Sequence, residues 1–309
     1  MPSQVFTTAP HWEWWIVLYF FVGGIAGGSF FISALIDLLR GEADRSISRI
    51  GYLIAFPAII IGTILLIIDL GRPERFWHMV MQSKTWLPAF KWWSPISFGT
   101  WIVTVFSMFA FLAFVAVVVQ GKGVTRPFYG LFYQLGIVSK AIQMLGAIAG
   151  LAVAGYTGIL LTVTNRPVWA NNNLLGFLFM VSGVSTGAAM ISLLAASKRR
   201  QHEGALYSVH RMDTWLLVLE LILVVALVIW LSPIISWASA VAPGWLLSWG
   251  IILLLGVIVI GLLIPLALQW NPRIMPGSAL LAAVLVLIGG FVLRLVVVIS
   301  SEFLDKVRA

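Results

Sequence analysis

The sequence predicts an all-α integral membrane protein with eight transmembrane helices, grouped as two four-helix bundles. Three observations support this prediction. Hydrophobic residues make up 61% of the 309 residues and charged residues only 10%, with a mean hydropathy of +1.03, whereas a soluble domain carries about 25% charged residues. Eight apolar stretches reach or exceed the roughly 20 residues needed to cross a bilayer. The polar segments between them are too short to form a soluble domain.

The predicted spans, in chain order, are residues 14–39, 51–70, 95–120, 134–163, 174–196, 213–232, 246–268 and 278–300. Because the connections are short, consecutive helices are expected to be antiparallel neighbours within one transmembrane domain, residues 1–309. Small residues let helix backbones approach closely in a membrane, and they cluster at 23–28 in the first span and at 155–158 in the fourth. We therefore expect a tight four-helix half over 1–170 and a second half over 171–309.

Basic residues fall unequally on the two sides of the predicted bundle. The connections after the first, third, fifth and seventh spans carry the larger share, including Lys198, Arg199 and Arg200. By the positive-inside rule, this side faces the cytoplasm, and both termini lie on the outer, periplasmic side of a bacterial or archaeal cytoplasmic membrane. The net charge of +8 then reflects loop placement and contact with the lipid bilayer, so nucleic acid is not an expected partner.

The residue types that hold metal cofactors are few in this chain. It has no cysteine, which excludes disulfides, thiolate-held iron–sulfur clusters and cysteine nucleophiles within it. Transmembrane b-type haems are held by histidines inside spans, but the four histidines lie in loops or at span ends: His11, His78, His202 and His210. We expect no haem, iron–sulfur cluster or metal site in this chain. Electrons that reach a redox ligand here would come from another protein.

The outer ends of the first four spans combine tryptophans with ionisable groups. Asp69 ends the second span and is followed at once by glycine and proline, a pattern typical of a helix that stops at a membrane surface. Tryptophan at such a boundary commonly serves as an anchor. Acids, bases and hydrogen-bonding groups also converge there: His11, Glu13, His78, Lys91, Tyr156, Asn165 and Arg166. An apolar site with aromatic walls and a few such groups suits a quinone, whose ring oxygens require proton donors and acceptors.

Motifs in the first 170 residues resemble those of the NrfD/PsrC family. They are 11–14 (His-Trp-Glu-Trp) before the glycine-rich 23–28, 69–76 (Asp-Leu-Gly-Arg-Pro-Glu-Arg-Phe), 93–101, 155–158 (Gly-Tyr-Thr-Gly) and 164–169 (Thr-Asn-Arg-Pro-Val-Trp). They occur in the family's order and at its spacing. The second half resembles the family only in span count and hydropathy.

The resemblance implies the quinone-interacting membrane subunit of a polysulfide reductase-type respiratory complex. Such subunits exchange electrons between the menaquinone or ubiquinone pool and an extrinsic iron–sulfur subunit on the outer face. That subunit in turn commonly passes electrons to or from a molybdopterin enzyme or a multihaem cytochrome. The resemblance also implies that Tyr156 hydrogen-bonds one quinone oxygen and that Asp69 is the nearby proton-exchanging acid.

The second quinone contact departs from the family pattern. Some members place Asn and His near the ring, at positions that align here with Ile16 and Tyr19. Glu13 and His11 lie close by in the sequence and are our candidates for that contact. The expected quinone-binding set is therefore Tyr156, Asp69, Glu13, His11, Tyr19, Arg166 and Asn165.

The outer loop 71–94 is basic and aromatic, and two interpretations apply to it. In the first, it binds the extrinsic partner through Arg72, Arg75, Trp77, His78 and Lys91. In the second, it is an ordinary interfacial cap in which the two arginines meet lipid headgroups.

Ionisable residues within the predicted spans point to proton movement. A charge there costs about 2.5–3.5 kcal/mol on insertion scales and is a functional candidate by default. These residues are Asp37, Lys140, Asp213, Glu220 and Arg294. Because Asp213 and Glu220 are seven residues apart and share a helix face, we expect them, with Lys140 and Gln143, to line a proton path from the inner side towards the quinone. The alternative is a buried salt-bridge network that joins the two halves, with Asp37 and Asp213 reaching water and Lys140 snorkelling.

Two other functions remain open on the sequence alone. A secondary transporter is compatible with eight spans and buried charges, but neither an inverted repeat nor a matched pair of broken spans is evident. A passive anchor for an extrinsic enzyme would not require the acid and tyrosine at the outer face.

Overall fold

The computed structural model describes residues 12, 14–119, 126–164, 166, 168–170, 172–196, 203–241, 243–270 and 277–308. Within them, eight helices are long and apolar enough to cross a membrane, which confirms the predicted all-α, multi-pass membrane protein. We number these helices α1 to α8 and use the predicted orientation to name their outer and inner ends.

The eight helices account for most of the described chain. Their bounds are α1, Trp14–Arg40; α2, Arg45–Asp69; α3, Pro95–Val119; α4, Ile137–Thr162; α5, Leu174–Ala195; α6, Glu203–Val241; α7, the consecutive segments Pro243–Ile251, Ile252–Leu263 (π-helical) and Ile264–Trp270; and α8, Ser278–Arg308. Short helical turns lie between them at Gly41–Asp44, Pro73–Met79, Arg126–Tyr129 and Gly130–Gln134.

Several helices extend beyond the spans that hydropathy predicts, among them α8, which ends at Arg308 rather than at residue 300. Helix α2 begins at Arg45 rather than at residue 51, and α6 covers Glu203–Val241 rather than 213–232. Hydropathy marks only the apolar part of a helix. The first turns of α2 are basic and polar, and such residues suit the inner boundary of the membrane, so hydropathy alone does not include them in the span.

Helix α1 is the central helix of the molecule, in contact with α2, α4, α5 and α8. Its glycines make this possible. A Cβ atom at Gly27 would overlap the Gly150 carbonyl oxygen on α4, and one at Gly28 would overlap that of Gly183 on α5. Real side chains cannot occupy such positions, so the prediction that these glycines mark close helix contacts is confirmed.

The helices contact one another in two rings. In the first, α1 contacts α2, α2 contacts α3, α3 contacts α4, and α4 returns to α1; helices α5 to α8 form the second ring in the same way. Helix α5, however, packs against α1 and α4 more extensively than against its own ring. The division at residues 170 and 171 therefore stays a prediction, and the two groups share a broad interface.

Candidate functional site

Tyr156 lies in the first ring of helices, near its outer end. It is six residues before the end of α4 at Thr162, or about 9 Å at 1.5 Å per residue. Its side chain is buried, and its hydroxyl donates a hydrogen bond of 2.5 Å to the carbonyl oxygen of Pro95, the first residue of α3. The ring lies against Gly99, where a Cβ atom would overlap the Tyr156 Cζ. Glycine at position 99 is therefore required for Tyr156 to reach α3.

Tyr19 of α1 is the second buried phenol in this region. Its ring lies beside Gly62 of α2, where a Cβ atom would be 3.2 Å from the Tyr19 Cδ2. Tyr19 and Tyr156 are close enough to interact electrostatically. The structure therefore brings together two of the predicted quinone-binding residues, from α1 and α4, inside the first ring.

Asp69 is the last residue of α2, as predicted from the glycine and proline that follow it. The backbone N–H of Leu70 still donates to the Ile67 carbonyl oxygen at 3.2 Å, but Leu70 itself has the extended conformation. The Asp69 side chain is half-buried at the outer boundary. This places its carboxyl group on the same side of the membrane as Tyr156.

The predicted docking loop is folded. Its chain reverses at an isolated bridge between Met81 and Pro88, and the rings of Trp77 and Trp86 stack with centroids 5.4 Å apart. The loop is also tied to α3, because Ser97 Oγ donates to the Ala89 carbonyl oxygen at 3.0 Å.

This loop presents exposed basic and aromatic side chains at the outer face: Arg72, Arg75, Phe76, Lys84, Trp86, Lys91, Trp92 and Trp93. Trp77 and His78 are partly buried, with ring centroids 3.8 Å apart. The docking residues predicted from the sequence are therefore on one surface, with the three basic ones exposed.

Arg166 is buried away from the outer surface. Its guanidinium lies 5.2 Å from the centre of the Trp169 ring. Trp169 in turn stacks on Trp12 with ring centroids 5.1 Å apart and donates from Nε1 to the Val297 carbonyl oxygen of α8 at 2.7 Å. Trp169, in the described part of the connection between α4 and α5, thus contacts Trp12, just before α1, and the backbone of α8. Three further predicted contacts, His11, Glu13 and Asn165, lie outside the described residues.

A line of polar side chains runs through the second ring. At its inner end, Asp213 of α6 accepts hydrogen bonds from Ser185 Oγ of α5 at 2.8 Å and from Gln269 Nε2 of α7 at 2.6 Å. Thr214 Oγ1 donates to Gln269 Oε1 at 2.7 Å. Three helices therefore converge on one buried carboxylate, each of whose oxygens has a hydrogen-bond donor.

The same line of polar side chains continues towards the outer side to Arg294 of α8, which is fully buried. Arg294 donates from Nε to the Phe20 carbonyl oxygen of α1 at 3.0 Å and from Nη1 to Ser182 Oγ of α5 at 3.1 Å. Glu220, also buried, faces both Ser182 and Arg294. The structure thus brings together the charges predicted on α6 and α8. Through its hydrogen bond to Phe20, Arg294 connects this line of side chains to α1, which also contains Tyr19.

The remaining intramembrane charges lie elsewhere. Lys140 is exposed at the inner end of α4, because the buried face of that helix passes through its neighbour Ser139 and through Gln143. Gln143 donates from Nε2 to the Phe132 carbonyl oxygen at 3.0 Å. The structure therefore does not bring Lys140 and Gln143 to Glu220, contrary to the predicted path, because the face on which a residue lies depends on how α4 is rotated against its neighbours.

Asp37 belongs to a separate group at the inner ends of α1 and α2. Its Oδ1 accepts a hydrogen bond of 2.5 Å from Ser48 Oγ, and its carboxyl group faces Arg45 and Arg49. Arg45 also lies over the Tyr133 ring, 4.6 Å from its centre. This arrangement compensates the Asp37 charge locally and is distinct from the line in the second ring.

Sequence reasoning missed the residues that position these groups. Gly62 and Gly99 form the surfaces on which the two tyrosines lie, and Ser182, Ser185 and Gln269 supply hydrogen bonds to the buried charges. Serines spaced three apart within an apolar span were the available signal for two of them. In the part of the chain that the structure describes, no three His, Cys, Asp or Glu side chains group together as metal ligands would.

The comparison with known proteins extends over nearly all of the sequence. The family model described as "Polysulphide reductase, NrfD" matches residues 4–304. The chain belongs to this family. The prediction made from motifs in the first half is thereby confirmed, and membership of the NrfD family extends through the second ring of helices.

Individual relatives share about a quarter of their aligned residues with this NrfD-family member. Protein NrfD of Escherichia coli (strain K12) is 26% identical over 83% of this chain and 83% of its own length. A polysulfide reductase chain from Wolinella succinogenes is 26% identical over 83% of this chain and 82% of its own length. A selenate reductase subunit from Mesobacillus selenatarsenatis is 25% identical over 63% of this chain and 50% of its own length.

Proposed function

We propose that this protein is the quinone-reactive subunit of a membrane-bound oxidoreductase complex. Electrons would pass between menaquinone or ubiquinone in the bilayer and an extrinsic iron–sulfur subunit at the outer face. Two relatives support this proposal by name, since one belongs to a polysulfide reductase and another to a selenate reductase. The observation that carries it is the convergence of Tyr19 and Tyr156 inside the first ring of helices.

The residues at this position fit a quinone by their chemistry. A flat, apolar ring with two oxygens requires apolar or aromatic walls and few polar groups. Tyr19 and Tyr156 supply phenol groups among apolar helices, and Gly62 and Gly99 leave room for their rings. A bound quinone supplies two-electron, two-proton chemistry. Tyr156 would hydrogen-bond one of its oxygens, and Asp69 would exchange protons with water at the outer boundary.

The second ring oxygen has several candidate partners. Tyr19 is one of them, supported by its electrostatic interaction with Tyr156. The others proposed from the sequence are His11, Glu13, Asn165 and Arg166.

The partner would bind the outer loop. This surface combines exposed Arg72, Arg75 and Lys91 with exposed aromatic rings, and arginine and aromatic residues are both enriched at protein interfaces. An iron–sulfur subunit seated there would lie directly above the tyrosines. A molybdopterin or multihaem cytochrome subunit would complete the complex.

The test is quinone-linked electron transfer in the purified complex. We expect Tyr156→Phe and Asp69→Asn to lower turnover by at least about tenfold, since one positioned proton donor or acceptor typically contributes more than that, with the complex still assembled. Tyr129→Phe and Asp44→Asn, on the inner side, are the matched controls and should keep full turnover. If the two outer variants also keep it, the quinone binds elsewhere or not at all, and a passive anchor or a secondary transporter becomes the better explanation.

Proton coupling is the second part of the proposal. The line from Asp213 through Glu220 to Arg294 would carry protons from the inner side towards α1, because chains of buried carboxylates serve as proton relays in membrane proteins. In proteoliposomes, Glu220→Gln should abolish proton release or the membrane potential while electron transfer continues. Unchanged coupling together with a lower unfolding temperature would instead identify the line as a structural salt-bridge network.

A further inference from the structure

Arg294 of α8 holds the backbone of α1 at the residue that follows Tyr19. Its Nε donates to the Phe20 carbonyl oxygen at 3.0 Å, and its guanidinium lies 5.9 Å from the centre of the Phe21 ring. Within a helix this carbonyl is directed at the N–H group four residues on, which is that of Gly24. A Cβ atom at Gly24 would lie 2.8 Å from Arg294 Nη2. The guanidinium therefore reaches the α1 backbone because position 24 has no side chain.

The other guanidinium nitrogens differ in how they are used. Nη1 of Arg294 donates to the Gly290 carbonyl oxygen at 2.7 Å and to Ser182 Oγ at 3.1 Å. Nη2 is buried and has no hydrogen-bond partner within the described part of the chain. Glu220 faces this guanidinium and attracts it electrostatically. A buried donor without an acceptor is costly, so a carboxylate at Glu220 favours a rotation of Nη2 towards it.

Few charged groups face Glu220. Asp213 is the one on its own helix, and Arg294 is the one from α8. Helices α5 and α7, which also pack against α6, contain no ionisable residue. The gain or loss of a proton at Glu220 therefore acts on Arg294 as the cation that can pair with it.

We propose that Arg294 is a positioning residue that couples the charge of Glu220 to Tyr19 through the Phe20 carbonyl oxygen. When Glu220 is a carboxylate, Arg294 turns towards it and the hydrogen bond to Phe20 weakens. When Glu220 takes up a proton, Arg294 returns to Phe20 and fixes α1 beside Tyr19. A side chain with two such arrangements is the two-state element that coupling between sites requires. The inference rests on the proposed function and names the residue through which the proton line acts on the quinone site.

The experiment observes Tyr19 directly and needs no quinone. Fluorotyrosine replaces Tyr19 in the full-length protein in lipid nanodiscs, and its fluorine NMR resonance is recorded across the pH range over which the protein stays folded. We expect the wild-type resonance to move with pH. In Glu220→Gln, which stays neutral, it should remain at the low-pH position. A titration of the probe itself would persist in that variant, and fluorotyrosine at Tyr129, on the inner side, should not respond to Glu220→Gln.

Gly24→Ala should remove the coupling while both charged side chains remain. The atom nearest to the new Cβ is Arg294 Nη2, the end of a flexible side chain, so the guanidinium moves away from α1 and the helix stays in place. In this variant we expect the Tyr19 resonance to be the same with glutamate or glutamine at position 220.

The neighbouring glycine supplies the matched control. A Cβ atom at Gly23 would meet no atom nearer than Tyr19 Cε2 at 3.5 Å, an ordinary contact, so Gly23→Ala should keep the pH response. If Gly24→Ala fails to fold, Arg294→Lys replaces it. Lysine keeps the charge but lacks the planar fork of several donors, so one amine cannot serve both Phe20 and Glu220 and the response should again be lost.

The same variants connect the coupling to electron transfer in the purified complex. At high pH, Glu220→Gln should change the KM for a soluble quinone by about fivefold, the lower end of typical couplings between sites. In Gly24→Ala, the further change to Glu220→Gln should leave that KM unaltered.

The outcomes separate this inference from the function on which it rests. A wild-type Tyr19 resonance that does not move with pH would overturn the inference. A response that survives in Gly24→Ala would also overturn it, because the charge would then act through space. The expected resonance changes in a protein that binds no quinone would support the coupling and overturn the proposed function.

Discussion

Arg294 is the residue whose surroundings depend most on the rest of the fold. It is fully buried, and its guanidinium hydrogen-bonds α1 at Phe20 and α5 at Ser182 while facing Glu220 on α6. A buried cation is tolerated only when polar groups surround it. Helices α1, α5 and α6, together with α8 itself, therefore supply the environment of one side chain, and that side chain connects both rings.

Removing this cation should be costly. We expect Arg294→Met to destabilise the protein by about 3–5 kcal/mol, because the Phe20 carbonyl oxygen, Ser182 and Glu220 would all lose a buried partner. The double variant Arg294→Met with Glu220→Gln should recover part of the loss, since no charge then remains in the pair. Thermal unfolding in detergent measures both, with Arg211→Met as the control at an exposed position of α6. An unchanged unfolding temperature for Arg294→Met would contradict this account.

At the scale of the element, α1 packs closely against its neighbours because its glycines have no side chains. Gly27 and Gly28 allow backbone contact with α4 and α5 respectively, and the same helix carries Tyr19 between them and the outer end. Membrane helices gain little from apolar association in lipid, so such close packing is a main source of their affinity. The position of Tyr19 therefore depends on glycines about two turns away along the helix.

A side chain at Gly28 should displace α1. The obstructing atom is the Gly183 carbonyl oxygen, which belongs to a helical backbone and cannot rotate aside. We expect Gly28→Ala to destabilise the fold by about 1–3 kcal/mol through overpacking. Gly244→Ala, where a Cβ would meet no atom within 4 Å, is the control and should be neutral or stabilising. Wild-type unfolding of the Gly28→Ala variant would show that α1 can move without cost.

At the scale of the whole molecule, the outer loop combines exposed basic side chains with exposed aromatic rings. The loop between α2 and α3 is folded by the stacking of Trp77 on Trp86 and is anchored to α3. Arg72 and Arg75 are exposed on it. Such an arrangement is preorganised, so a partner binding there would not have to order the loop.

Charge reversal on this surface should weaken assembly. In Arg72→Glu with Arg75→Glu, we expect slower association of the extrinsic subunit and a weaker dependence on salt, since exposed interfacial charges act mainly on the association rate. Surface plasmon resonance at several ionic strengths measures both. Arg211→Glu, at the opposite end of the helices, should associate normally. If the double reversal has no effect, the loop contacts lipid and the partner binds elsewhere.

The parts of this structure that the sequence predicts are those with a local cause. Span positions follow from runs of apolar residues, and the end of α2 at Asp69 follows from the glycine and proline beside it. The contact of Tyr156 with Pro95 joins residues 61 apart, and that of Arg294 with Phe20 joins residues 274 apart. Such contacts depend on how each helix is rotated against its neighbours. The same rotation left Lys140 exposed while Glu220 was buried, although both are charges within apolar spans.

The depth of Tyr156 determines how the membrane potential acts on chemistry beside it. About 9 Å of a roughly 30 Å hydrocarbon core separates it from the outer boundary. About 70% of the transmembrane field therefore lies between this side chain and the inner face. If the proposed function holds, an electron arriving from the outer side would cross the smaller part, and a proton drawn from the inner side would cross the larger. At about 100 mV, moving one charge across the whole membrane changes its free energy by about 2.3 kcal/mol. The part of the crossing from the inner face to Tyr156 would account for about 1.6 kcal/mol of this.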